Sequence, residues 1–173
     1  MIRIIANNII RFMFLLMVQA MIVNRINIMD GFVLPFIYIF AILMLPLHTP
    51  RWLVLVIAFA TGLIMDMFTS TPGMHASACL VMGFLQPYVQ RLLSPREGYE
   101  FTDKATIQSL GLTWYAMFAG VLTLIHHLTL FNIEFFKFEG LAYTLLTALA
   151  SALGTLILMI VGQYLIFNPK KQG

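Results

Sequence analysis

Thr61-Gly62-Leu63-Ile64-Met65-Asp66-Met67-Phe68-Thr69-Ser70-Thr71-Pro72-Gly73-Met74-His75 decides how this chain is read. An apolar segment that begins at Trp52 runs into this stretch and carries a single carboxylate, Asp66. A polar turn with Pro72 and Gly73 follows, and a second apolar segment starts at Met74. At 1.5 Å per residue, Trp52–Phe68 reaches most of a ~30 Å hydrocarbon core. A carboxylate inside a span costs roughly 2.5–3.5 kcal/mol even on lenient insertion scales. Asp66 is therefore expected to face protein or trapped water, not lipid.

The surrounding composition agrees. The 173 residues are 61% hydrophobic and 10% charged, with a mean hydropathy of +0.92. A soluble domain carries about 25% charged residues, so the bilayer is the expected solvent for most of this chain. The net charge of +3 comes from ten basic residues scattered at segment ends. Such scattering suits membrane orientation and contact with anionic headgroups, and argues against a nucleic-acid partner. The lone Cys79 cannot form an intrachain disulfide and reads as a small apolar filler. Arg3 and Arg11 precede an apolar run ending near Ala20, but no small-x-small cleavage site follows. That run is read as an uncleaved first helix.

Working outward from Asp66, six apolar segments can be drawn: Ile9–Val23, Phe32–Leu47, Trp52–Phe68, Met74–Leu93, Leu112–Ile133 and Leu141–Phe167. The connections are short and rich in turn residues, as at Asn24-Arg25-Ile26-Asn27, His48-Thr49-Pro50 and Ser94-Pro95-Arg96-Glu97-Gly98. Period-two alternation is absent, which excludes strands. The expectation is an all-α membrane protein: a single domain over residues 1–173, a bundle of six transmembrane helices. With a cytoplasmic N-terminus, the inner side receives Arg3, Arg11, Arg51, Arg91, Arg96, Lys104, Lys170 and Lys171; the outer side receives only Arg25 and Lys137. That bias places both termini in the cytoplasm. Trp52 and Trp114 then begin their helices at the inner interface. Arg3, Asn7 and Arg11 share one helical face, which reads as an interfacial stripe on anionic lipid with Arg11 snorkelling, or as a docking face for a cytoplasmic partner.

Four polar groups fall at similar depth in the outer half of such a bundle: Asp66, His75, His126 and His127. A polar pocket there is one reading. A metal site is disfavoured, because adjacent histidines point about 100° apart on a helix and no HxxxH or HExxH spacing exists. A proton relay lacks ionisable groups in the inner half. The plainer reading has Asp66 held by hydroxyls such as Thr69 and Ser70, or by a histidine, locking the third helix to the fourth. No GxSxG, no second intramembrane Asp and no Ser beside a His are present, so no enzyme, cofactor or metal is expected. Small residues four apart recur at Ala58/Gly62, Ala116/Gly120, Ala148/Ala152 and Ser151/Thr155. Such pairs let helices approach closely in lipid. The face carrying Ala148, Ser151, Ala152 and Thr155 is either internal packing or a surface for a partner's helix. Gln86-Pro87 marks a kink or the inner end of the fourth segment.

Gly62, three apolar residues, Asp66, then Pro72-Gly73 leading to His75 and a small-apolar helix: this pattern resembles the rod-shape-determining MreD family of bacterial membrane proteins. The resemblance implies a non-enzymatic scaffold of the cell-elongation machinery in the cytoplasmic membrane. It implies pairing with MreC, and through it a link between MreB filaments and the RodA polymerase with its transpeptidase during lateral peptidoglycan synthesis. It also implies a fold similar to the substrate-binding components of energy-coupling-factor vitamin transporters. Two functions are thus carried forward, a scaffold for partner helices and a component that captures a small solute in an outer cavity. The short outer turn, without charged recognition groups or a lid, favours the scaffold.

Overall fold

The computed structural model describes residues 2–26, 28–100, 103–134 and 140–166. Its α-helices are α1 (Ile2–Met21), α2 (Phe40–Leu43), α3 (Arg51–Thr69), α4 (Met74–Leu92), α5 (Ile107–Leu110), α6 (Leu112–Glu134) and α7 (Leu141–Ile166). Among the described residues the chain is otherwise turns and 3-10 segments, with one isolated bridge between Ile28 and Val33. Lys137, Glu139, Phe167, Lys170 and Lys171 lie outside the described residues, as do the side chains of Arg3 and Asn7.

Three helices are long and apolar enough to cross a membrane: Arg51–Thr69, Leu112–Glu134 and Leu141–Leu165. Their outward faces are greasy, with Phe59, Met67, Leu153 and Leu165 exposed. In water such surface would be costly; against lipid tails it is not. α4 packs between α3 and α6, and α6 packs on α7.

Phe32–Leu47, expected as the second spanning helix, is not one. The chain makes 3-10 turns at Met29–Gly31 and Ile37–Ile39, and α2 is a single four-residue turn of helix. Pro35 has no N–H to donate and Pro46 stops any continuation, so a regular ladder through this run is blocked. The apolar character has a different cause: the run is the core. Tyr38, Ile39, Ala41, Ile42 and Leu43 are sealed from solvent. Irregular backbone at membrane depth survives only where protein encloses it and meets its polar groups. Here side chains do so. Leu34 N–H donates to Ser151 Oγ at 2.9 Å, and Phe36 N–H to Thr155 Oγ1 at 3.0 Å. Ile37 N–H donates to Gln19 Oε1 at 2.7 Å, while Gln19 Nε2 returns a bond to Pro35 O at 3.0 Å.

Arg11 also differs from expectation. Instead of reaching only for headgroups, its Nη2 donates to Met44 O at 3.2 Å, at the end of α2. α2 leaves carbonyls without helical partners, and a half-buried guanidinium supplies donors for one of them.

Candidate functional site

The connection between α3 and α4 is built around two residues one turn apart. A Cβ on Gly62 would sit 2.5 Å from both Ala76 Cα and His75 O, so only glycine lets the start of α4 lie on α3. One turn further, Asp66 is 4% exposed and directs its carboxylate into the first turn of α4. Its Oδ1 accepts from His75 N–H at 2.9 Å and from the Thr71 hydroxyl at 3.0 Å. Its Oδ2 accepts from Ala76 N–H at 3.0 Å and from Gly73 N–H at 3.1 Å. A helix N-terminus presents unmet amides and the positive end of its dipole, so a carboxylate is the matching group. Gly73, the residue before α4, holds φ at +85°, a left-handed conformation that a side chain would strain. The spacing from Gly62 to Asp66 thus has a mechanical meaning: contact, then cap.

The expectation that Asp66 locks the two helices is met, but by different atoms. Thr69 spends its hydroxyl on Met65 O and on Thr71, and Ser70 is exposed. The partners are main-chain amides and Thr71.

His75, His126 and His127 do converge, through two residues the sequence did not single out. The Tyr38 hydroxyl lies 2.9 Å from His75 Nδ1 and 2.8 Å from His126 Nε2, with Cys79 Sγ at 3.4 Å. A phenol has one proton to give, so one histidine must accept it and the other must donate. His126 Nδ1 is buried without a partner among the described residues. Stranding a bare nitrogen is the milder choice, which orders the chain as His126 Nε2–H to Tyr38 to His75 Nδ1. Phe36 stands at the centre, its ring centroid 5.2 Å from that of His75, 6.0 Å from His126 and 5.3 Å from His127.

His127 belongs to a second chain of bonds. Its Nδ1 lies 2.8 Å from Thr123 O, which makes Nδ1 the protonated nitrogen; Nε2 lies 3.1 Å from Thr155 Oγ1, whose hydroxyl donates to Ser151 O at 2.8 Å. Since Thr155 also accepts from Phe36 N–H, the sequence Phe36, Thr155, His127, Thr123 ties the broken segment to α7 and α6. Asp66 joins this end of the bundle through the main chain of His75, not through an imidazole.

The face offered as a partner surface is turned inward. Ala148, Ser151 and Thr155 are sealed and Ala152 is 6% exposed. Ser151 and Thr155 serve the backbone of Leu34 and Phe36, which is why small polar residues gather there. Likewise Ala58 meets Gly83, where a Cβ would lie 3.0 Å from the alanine methyl. Among the described residues, no three His, Cys, Asp or Glu side chains converge as a metal would require. What the arrangement does chemically is fix imidazole tautomers and clamp helices.

Tyr38 and Phe36 escaped notice because a single hydroxyl and a single ring inside an apolar run carry no spacing signal. Gln19 gave a signal, as the one amide in the apolar second half of α1, after Arg11. Set against protein-family models, curated proteins and solved structures, the chain matches none of them.

Proposed function

We propose that this chain is a non-catalytic membrane scaffold of the kind its resemblance to MreD implies. In this reading it is a multi-pass protein of the bacterial cytoplasmic membrane that crosses six times and keeps both ends in the cytoplasm. It pairs with an MreC-like protein, and so links MreB filaments to RodA and its transpeptidase.

The observation that carries the reading is Phe36. Its ring fills the space among His75, His126 and His127, where a captured solute would have to lie. The polar atoms around it are mostly committed: Asp66 to four donors, Tyr38 to two histidines, His127 to Thr123 and Thr155. A binding site keeps polar groups for its ligand and a cavity to hold it. This end spends both on rigidity, which a platform for partner helices needs. The energy-coupling-factor reading would need the same volume open.

Two features support the crossing pattern. The broken segment has Phe36 beside His75 and His48 beside Glu100, so it descends the bundle between α1 and α3. Arg51, Arg91, Arg96 and Lys104 gather at the end opposite Asp66, as a cytoplasmic face would have them.

Native mass spectrometry of the chain, extracted gently from cells, tests the proposal. A stoichiometric MreC-like membrane protein is expected to travel with it. A retained vitamin-sized molecule, with no protein partner, would replace the scaffold by solute capture.

A further inference from the structure

At the end of the bundle opposite Asp66, a cavity of about 300 Å³ lies between the Pro46–Pro50 loop, the start of α3, the last turns of α4 and Tyr99. Three observations define its chemistry. The first is charge. Arg51 and Arg91 both line it and both lie over the Tyr88 ring, at 5.7 and 5.3 Å from the centroid, while no Asp or Glu lines it. The second is the N-terminus of α3, a 19-residue helix that starts here. Pro50 precedes it and offers no side-chain cap, and among the described residues the first-turn amides of Arg51 and Trp52 have no acceptor. Such a terminus favours an anion.

The third observation is independent of the other two. Gln86 lines the same cavity and is only 1% exposed, yet among the described residues its amide has no partner; Oε1 is sealed and unmet. A buried amide left unpaired is costly, and natural structures rarely keep one without a reason. Pro87 next to it has no N–H to give the α4 ladder, which loosens the helix where Gln86 turns in.

We infer that this cavity is an anion-binding site for a phosphate group, held by Arg51, Arg91, the first-turn amides of α3 and the Gln86 amide. Arginine forks match phosphate oxygens, and the glutamine Nε2 adds a further donor. The phosphate comes from a phospholipid headgroup or from soluble phosphate. The flanking surface leans to lipid: Trp52, Tyr88 and Leu92 are exposed beside the cavity, with Leu92 84% exposed. The site's chemistry does not depend on the scaffold reading.

Delipidated full-length chain, titrated with phosphatidylglycerol, phosphatidylcholine and inorganic phosphate, tests the proposal. Trp52 fluorescence and native mass spectrometry serve as readouts. One phosphatidylglycerol per chain is expected, with weaker retention of the zwitterionic lipid. Replacing both arginines (Arg51→Gln, Arg91→Gln) is expected to weaken binding about tenfold, since two charge-assisted contacts are lost. Competition by inorganic phosphate would show that the phosphate is what is recognised; saturation by inorganic phosphate with no binding of phosphatidylglycerol would assign the soluble source. Should the double variant fail to fold, Gln86→Glu, which gives the arginines an internal carboxylate, is expected to abolish binding while the helical signal persists. Equal retention of both lipids by wild type and variants, untouched by inorganic phosphate, would overturn the site.

Discussion

Asp66→Ala removes an acceptor shared by one hydroxyl and three main-chain amides. The cost falls unevenly. Thr71 keeps Thr69 as a partner, and Gly73 is exposed, so its amide finds water. His75 and Ala76 are 3% and 2% exposed, and their amides are stranded. At about 1–3 kcal/mol for each buried unmet donor, the loss is about 2–6 kcal/mol, centred near 4. Asp66→Asn keeps one carbonyl oxygen but turns an NH2 toward the other donors, so about half that loss is expected. With roughly 2–4 °C per kcal/mol for a chain of this length, alanine lowers the melting temperature by roughly 8–16 °C and asparagine by roughly 4–8 °C. Helical circular dichroism on heating in detergent measures both. The turn between α3 and α4 should also become the first site of limited proteolysis. A melting temperature within about 2 °C of wild type for the alanine variant would refute the capping argument, because no buried amide could then depend on Asp66.

Gly62→Ala is expected to cost about 3 kcal/mol, because its new methyl meets main-chain atoms that cannot step aside. Gly120→Ala, whose methyl meets only Leu156 Cδ2 at 3.4 Å, serves as the control, and equal melting of the two variants would sink the close-approach reading. Ser151→Ala and Thr155→Val strand the amides of Leu34 and Phe36 and are expected to cost about 1–3 kcal/mol each. Unchanged melting with loss of a co-purifying partner would return that face to partner docking. Tyr38→Phe leaves His75 and His126 without their shared hydroxyl, again at about 1–3 kcal/mol. Imidazole nitrogen NMR should report a change at both rings; a change at neither would remove Tyr38 from the network.

Much of the helical plan was legible because its cause is long-range in sequence and simple in chemistry. Continuous apolar runs bounded by turn residues marked α3, α4, α6 and α7 to within a few residues. Gly62 and Asp66 stood out for the same reason: glycine and a carboxylate are out of place in an apolar helix unless something lies close. The identity of that neighbour was not legible. Backbone amides have no letter in a sequence, so the sequence points to hydroxyls or a histidine as the partners of Asp66. Depth did bring the three histidines together, but the hydroxyl of Tyr38 and the ring of Phe36 decide what the cluster is.

The broken segment shows why hydropathy alone misreads a membrane bundle. Phe32–Leu47 is as apolar as a lipid-facing helix, since a run enclosed by protein and a run facing tails exclude water alike. The distinguishing mark lies elsewhere in the chain. A non-helical segment leaves its amides and carbonyls unmet, and in a medium without water other residues must supply the bonds. Those residues are Gln19 on α1 and Ser151 and Thr155 on α7, polar letters in helices otherwise built for lipid. Read as a small-residue stripe, Ser151/Thr155 suggests helix against helix; read as a supply of hydrogen bonds, it calls for irregular backbone nearby. Pro35 and Pro46 name the segment that needs it. Buried hydroxyls in one helix and prolines in another apolar run are therefore one signal, and it marks the place where a bundle holds an irregular insert instead of another rod.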